Sequence, residues 1–152
     1  MAEEAAYRAE AAAIIMAQSG FAGTWRLNLA ESDIPPVTKS QLLTIETDGV
    51  SVTMREELVN DKDEHLLIAV QGKFDGRDNA VTGTPFADTV SYRLLDSHTI
   101  EGIAKKDGRI CVKETAVLSG AEDVVRVAYE SYDEHGNVQI AHGVFERVPS
   151  SS

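Results

Sequence analysis

Two-residue turn signals recur along this chain, and they limit what it can fold into. Asp48-Gly49, Asp75-Gly76, Asp107-Gly108 and His135-Gly136 each stand between runs rich in apolar and β-branched residues. Asp-Gly in that setting is a strong local signal for a β-hairpin, because the tightest hairpin turns need positive φ and these residues tolerate it. Asn60-Asp61-Lys62-Asp63, Asp96-Ser97 and Ser119-Gly120-Ala121-Glu122 add further turns. The intervening segments predict strands over 22–28, 40–47, 50–59, 64–74, 79–83, 88–95, 98–106, 109–118, 123–132 and 137–147. Pro35-Pro36 falls in the loop after the first strand, and Pro85 breaks the chain between the fifth and sixth. An open sheet of that length would expose two edges and a whole apolar face. Closure removes the edges. The expected fold is mainly β: one antiparallel up-and-down barrel over 21–149.

A single helix precedes it. Residues 2–18 are Ala-rich and contain no Gly, Pro or Val, and Ser19-Gly20 supplies a stop. The segment does not read as a signal peptide, because Glu3, Glu4 and Glu10 stand where positive charge belongs. No run approaches the roughly 18 apolar residues of a membrane helix. The single cysteine, Cys111, excludes an intrachain disulfide and a cysteine-based metal site, and reads as a buried inert thiol. These features predict a soluble cytoplasmic protein. Of 152 residues, 14 are Lys or Arg and 25 Asp or Glu, a net charge of −11. That field opposes nucleic acid and anionic membranes, and favours neutral or cationic ligands.

The period of two assigns side chains to faces. Leu66, Ile68, Val70, Gly72 and Phe74 form one face of the fourth strand and read as inward. The same test turns inward Leu43 and Ile45; Val50, Val52 and Met54; Val90, Tyr92 and Leu94; Ile100, Gly102 and Ala104; and Val125, Val127, Tyr129 and Ser131. Two strands stay open. In the eighth, Ile110, Val112, Ala116 and Leu118 look inward but bring Glu114 with them. In the last, Val138, Ile140, His142 and Val144 compete with Gln139, Ala141, Gly143 and Phe145. The small residues Gly72, Gly102 and Ala104 predict an incompletely filled interior, the usual form of a small-molecule site. The competing reading is a filled barrel.

Phe21-Ala22-Gly23-Thr24-Trp25-Arg26-Leu27-Asn28 resembles the opening strand of lipocalin-like bacterial proteins of the calycin superfamily, with their Gly-x-Trp. Lys73 to Asp78, Val81-Thr82-Gly83, Ala87 to Ser91 and Gly143 to Val148 are similar to later parts of such barrels. The resemblance covers roughly 21–148. It implies a central pocket with Trp25 near the closed end, and it implies no particular reaction. The last strand is also similar to that of fatty-acid-binding proteins, but Gly143 and Phe145 replace their carboxylate-holding Arg-x-Tyr pair. That alignment turns Gly143 and Phe145 inward and His142 outward.

The chain shows no nucleophile elbow, no phosphate loop, no dinucleotide fingerprint and no His-x-His or His-x-x-x-His spacing. No cofactor and no metal is implied. His65, His98 and His135 read as solvated, and only His142 has a register that enters the barrel. Glu56 continues the inward parity of Met54, and Glu114 that of Val112. A carboxyl inside an apolar barrel would have a raised pKa suited to acid–base chemistry, with Tyr92 or Tyr129 as hydrogen-bond donor. The simpler placement puts both carboxyls at strand ends or on the solvent face.

Two functions follow as expectations. The first is binding of a small, largely apolar, neutral or cationic molecule, with Trp25, Met54, Phe74, Tyr92, Tyr129 and Phe145 lining the pocket. The second is a cofactor-independent isomerase, cyclase, hydratase or lyase using Glu56, Glu114, Tyr92, Tyr129 and His142. A third reading makes the N-terminal helix a homodimer contact.

Overall fold

The computed structural model describes residues 20–149. The helix expected over 2–18 lies outside the described residues. Ten strands follow in meander order: β1 Gly23–Leu27, β2 Thr38–Thr47, β3 Ser51–Asn60, β4 His65–Lys73, β5 Asn79–Thr82, β6 Thr89–Asp96, β7 Thr99–Lys106, β8 Arg109–Leu118, β9 Val124–Tyr132 and β10 Val138–Val148. Each pairs antiparallel with its neighbours in sequence, and β1 pairs with β10 to close the barrel. All ten predicted strands are present. The turn chemistry explains why: in the β7–β8 hairpin, Asp107 and Gly108 hold φ of 51° and 78°, and Lys106 faces Arg109 across the turn. Both central residues at positive φ match the twist of the flanking strands. Val50 is a correction. It belongs to the β2–β3 turn and is 63% exposed, so its inward parity has no wall to point from.

The two ends of the barrel differ. At one end Trp25, Val52, Val125 and Phe145 are fully enclosed, with Phe21, Ile45, Ile100 and Leu118 packed against them. The Trp25 indole N–H donates to the Phe21 carbonyl at 3.0 Å. The Arg147 guanidinium lies 4.2 Å from the Trp25 ring centroid. The same guanidinium donates to the carbonyls of Gly20, Ala22 and Glu122, at 2.5, 2.7 and 2.8 Å. One planar cation thus ties the segment before β1 to the β8–β9 turn and stacks on the buried indole.

The other end is the mouth. The segment 28–37 crosses there, through a 3-10 turn at Leu29–Glu31 capped by the Asn28 side chain. Asp33 exchanges backbone hydrogen bonds of 2.8 Å with His142 on β10, which fastens the segment to the rim.

The thinnest seam is β5, with two paired residues on each side. Gly83 ends it at φ +86°, where an added Cβ would stand 1.7 Å from the Leu67 carbonyl oxygen. Gly83→Ala is therefore expected to destabilise the barrel by roughly 1–3 kcal/mol, because backbone strain and a backbone clash coincide. The midpoint of urea unfolding measures it.

Candidate functional site

A β-bulge decides which charge enters the barrel. Along the β7–β8 hairpin Lys105 pairs with Ile110, but Ala104 pairs with Val112, so Cys111 is the extra residue. Without the bulge, the hairpin register would set Gly102 opposite Lys113. With it, Gly102 faces Glu114. The bulge reverses the parity of β8 beyond it, re-aiming side chains as bulges do. Val112, Glu114, Ala116 and Leu118 line the interior, whereas Ile110 is turned out and 48% exposed. Cys111 is also corrected. It is partly exposed rather than buried, its thiol points to the Ala104 carbonyl at 3.4 Å, and partial burial raises its pKa.

Register then sets the polar groups in one lateral row. Tyr92 on β6 faces Gly102 on β7, Gly102 faces Glu114 on β8, Glu114 faces Tyr129 on β9, and Tyr129 faces Ala141 on β10. On the remaining wall Glu56 stands between Leu43 and Ile68. Small residues make room for the large ones. Gly102 lies under the Tyr92 ring, where an added Cβ would be 3.4 Å away. At Gly143 an added Cβ would lie 3.2 Å from the Phe145 ring and 3.3 Å from the Tyr129 ring.

Three chambers surround this row. The mouth chamber, about 440 Å³, is bounded by Asp33, Ile34, Gln41, Val112, Glu114 and Tyr129 among others. A second, about 160 Å³, lies under the β5 seam and is bounded by Met54, Glu56, Ile68, Val81, Tyr92 and Glu114 among others. The deepest, about 50 Å³, is bounded by Glu56, Tyr92, Glu114, Tyr129 and Phe145 over an apolar floor. Glu114 is the one side chain that borders all three. A larger hollow, about 770 Å³, lies outside the wall beside Phe86, Lys106, Cys111 and Tyr132. It is open and charged, and it gathers none of the interior polar groups.

The electrostatics follow from burial without a counter-charge. No Lys, Arg or His borders the three chambers. Desolvation raises the pKa of Glu56, opposed only by the side-chain amide of Gln41. Desolvation also raises Glu114, to about 8, with the charge of Glu56 adding to it. Glu114 therefore keeps its proton at neutral pH. Burial, then the two carboxylates, also raise Tyr92 and Tyr129, so both stay phenols. Some area of Glu56 and Glu114 remains accessible, and it faces the chambers they border.

The predicted residues therefore divide. Glu56, Glu114, Tyr92, Tyr129, Met54 and Phe145 meet around one space. The simpler placement of the carboxyls, at strand ends or on the solvent face, is overturned. His142 is a correction: Gly143 and Phe145 take the inward face, and the exposed imidazole lies 3.1 Å from the Ala141 carbonyl. Trp25 is packed into the closed end, and Phe74 joins the core cluster; neither borders a chamber. Gln41 and Asp33 were missed. Gln41 shares parity with Leu43 and Ile45, which was the available signal, whereas Asp33 sits in a loop with no period to read.

Among the described residues no group of three or more His, Cys, Asp or Glu is arranged to hold a metal. No helix among them is long and apolar enough to cross a membrane. Compared with known proteins, the chain matches no family model and no curated sequence.

A test of the packing lies in Gly143. Gly143→Val is expected to push Tyr129 into the chambers and cost about 1–3 kcal/mol by overpacking. Near-ultraviolet circular dichroism and the melting temperature would register the displaced ring and the loss.

Proposed function

We propose that this barrel is a calycin-like binding protein that takes a small, largely apolar molecule into its interior through the mouth. The observation that carries the reading is the convergence of Glu56, Tyr92, Glu114 and Tyr129 on an inner chamber otherwise walled by aliphatic and aromatic residues and Gly102. Ligand sites commonly combine an apolar lining with a few placed polar groups, in volumes of about 300–1,000 Å³. The mouth chamber, about 440 Å³, falls in that range. Gly102 and Gly143 support the reading, because each stands where a larger inward side chain would narrow the space. The outer faces carry Arg26, Glu46, Arg55, Lys73, Arg93 and Arg126, which suits a barrel bathed in water in the cytoplasm rather than in lipid.

Native mass spectrometry across a panel of apolar small molecules tests the proposal. Stoichiometric capture by wild type, weakened by Gly143→Val, is the expected result. A barrel that captures none of them, and whose melting temperature none of them raises, would sink it.

A second reading is acid–base catalysis on the same ligand. It is favoured by one observation: Glu114, raised to about 8, holds a proton beside Glu56 and two phenols. A neutral carboxylic acid can act as general acid, and a neighbouring carboxyl, once ionised, as general base. Captured molecules recovered from deuterated water should then carry deuterium or a shifted double bond. The change should vanish in Glu114→Gln.

A further inference from the structure

Resting on the binding reading above, we infer that the occupant is a lipophilic ammonium ion. Its nitrogen sits between the carboxyls of Glu56 and Glu114, with the phenol oxygens of Tyr92 and Tyr129 accepting its remaining N–H groups. The geometry points there in three independent ways.

The first is a missing partner. Neither the carboxyl of Glu114 nor the hydroxyls of Tyr92 and Tyr129 has a side-chain hydrogen bond from any described residue. None of these atoms is sealed away without a partner, so each borders open chamber space. Tyr92 is only 7% exposed and borders both inner chambers. Buried polar groups are normally satisfied, so an unpartnered set facing a cavity marks groups kept for a ligand.

The second is the sign of the charge. Two carboxyls share the chambers, and the residues bordering them include no cation. The wall opposite Glu114 offers Glu56 from β3, and its own row offers Tyr92 from β6 beyond Gly102. Its neighbours offer Gly102 from β7 and Tyr129 from β9. An anionic ligand would meet the Glu56 and Glu114 carboxyls with no cation in the lining to balance it. At the rim, Asp33 adds another carboxylate to the mouth chamber, and the chain's net charge of −11 draws cations toward it.

The third is the shape. A hard metal ion such as calcium wants about 6–8 oxygen ligands. Here two carboxyls and the Tyr92 phenol stand among Met54, Ile68, Val70, Val81 and Val90, which suit a hydrocarbon body, and the Tyr129 phenol borders the adjoining chamber. One charged head and an apolar tail fit this division.

Proton balance follows. Without an ammonium ion beside it, Glu114 holds its proton at neutral pH. When the ammonium arrives, Glu114 becomes a carboxylate, the O–H bond breaks, and the proton passes to solvent; the N–H bonds stay intact.

The experiment is calorimetry on the full chain with 2-phenylethylamine, 2-phenylethanol and 3-phenylpropanoate as probes. The amine is expected to bind at least about ten-fold more tightly than the alcohol, and the acid not to bind. Near neutral pH the amine's binding heat should change with the buffer's ionisation enthalpy, by about one proton released per molecule bound. The double variant Glu56→Gln/Glu114→Gln should lose the preference for amine and still bind the alcohol, which separates lost charge from a failed fold. Equal affinity for amine and alcohol in wild type would overturn the inference and leave the binding reading standing. So would an amine preference that survives in the double variant, or a heat independent of buffer. If neither these probes nor the apolar panel binds at all, the binding reading fails and this inference with it.

Discussion

Glu114→Gln is expected to make the barrel more stable above neutral pH and to remove much of its pH dependence. The reason is linkage. In the unfolded chain the carboxyl titrates near 4.5, and in the folded barrel near 8. Between those values the folded state holds a proton that the unfolded state has released, so raising the pH favours unfolding. Wild-type stability should therefore be greatest toward the lower value, fall across the window, and level off above the upper one. The slope from this group cannot exceed about 1.4 kcal/mol per pH unit. Glutamine is nearly isosteric and does not titrate, so the variant lacks that slope. A decline from Glu56, also raised by desolvation, should remain. Exposed Asp48, Asp88, Asp96 and Asp133 act in the opposite sense, because hydrogen bonds hold them below 3.8 and their contribution is lost only in acid. Urea unfolding across pH measures all of this. A variant that keeps the wild-type slope between mildly acidic and mildly alkaline pH would show that Glu114 does not titrate inside the barrel.

Trp25→Ala is expected to cost about 3–5 kcal/mol, enough to threaten folding in a domain of ordinary stability. Trp25 has no exposed surface, and its loss would leave a cavity at the centre of the closed end. Two further losses add to the cavity. The Phe21 carbonyl would lose its donor, and the Arg147 guanidinium its ring. Trp25→Phe keeps a ring but no N–H, so it should cost distinctly less while still leaving that carbonyl unpaired. Arg147→Lys should also destabilise, because a lysine cannot reach three carbonyls and stack at once. Denaturant midpoints for the three variants should rank Trp25→Ala lowest. A mild effect of that substitution would show that the closed end repacks freely.

The residues differ in how openly they declared their places. The strands were legible because each hairpin rests on local chemistry: Asp107-Gly108 reaches positive φ without help from distant contacts. The inward faces of β3, β4, β6, β7 and β9 were legible because one of the two alternating faces is the more apolar there. Tyr92 follows its neighbours' parity. Parity points Glu56 and Glu114 inward too, but solvation argues against placing either inside. Nothing local says that two carboxyls will share an interior without a cation.

What the sequence by itself determined is thus the meander of strands, its closure, and the list of candidate polar groups. These depend on turn residues and on a period of two, and both are written within a few residues. What only the tertiary structure decided is the contents of the chambers. The bulge at Cys111 sets whether Lys113 or Glu114 enters, and closure against β1 and β9 turns His142 out and Gly143 in. A one-residue change in register inverts every side chain beyond it. Such a change is selected by the packing of the whole barrel, not by the segment that contains it.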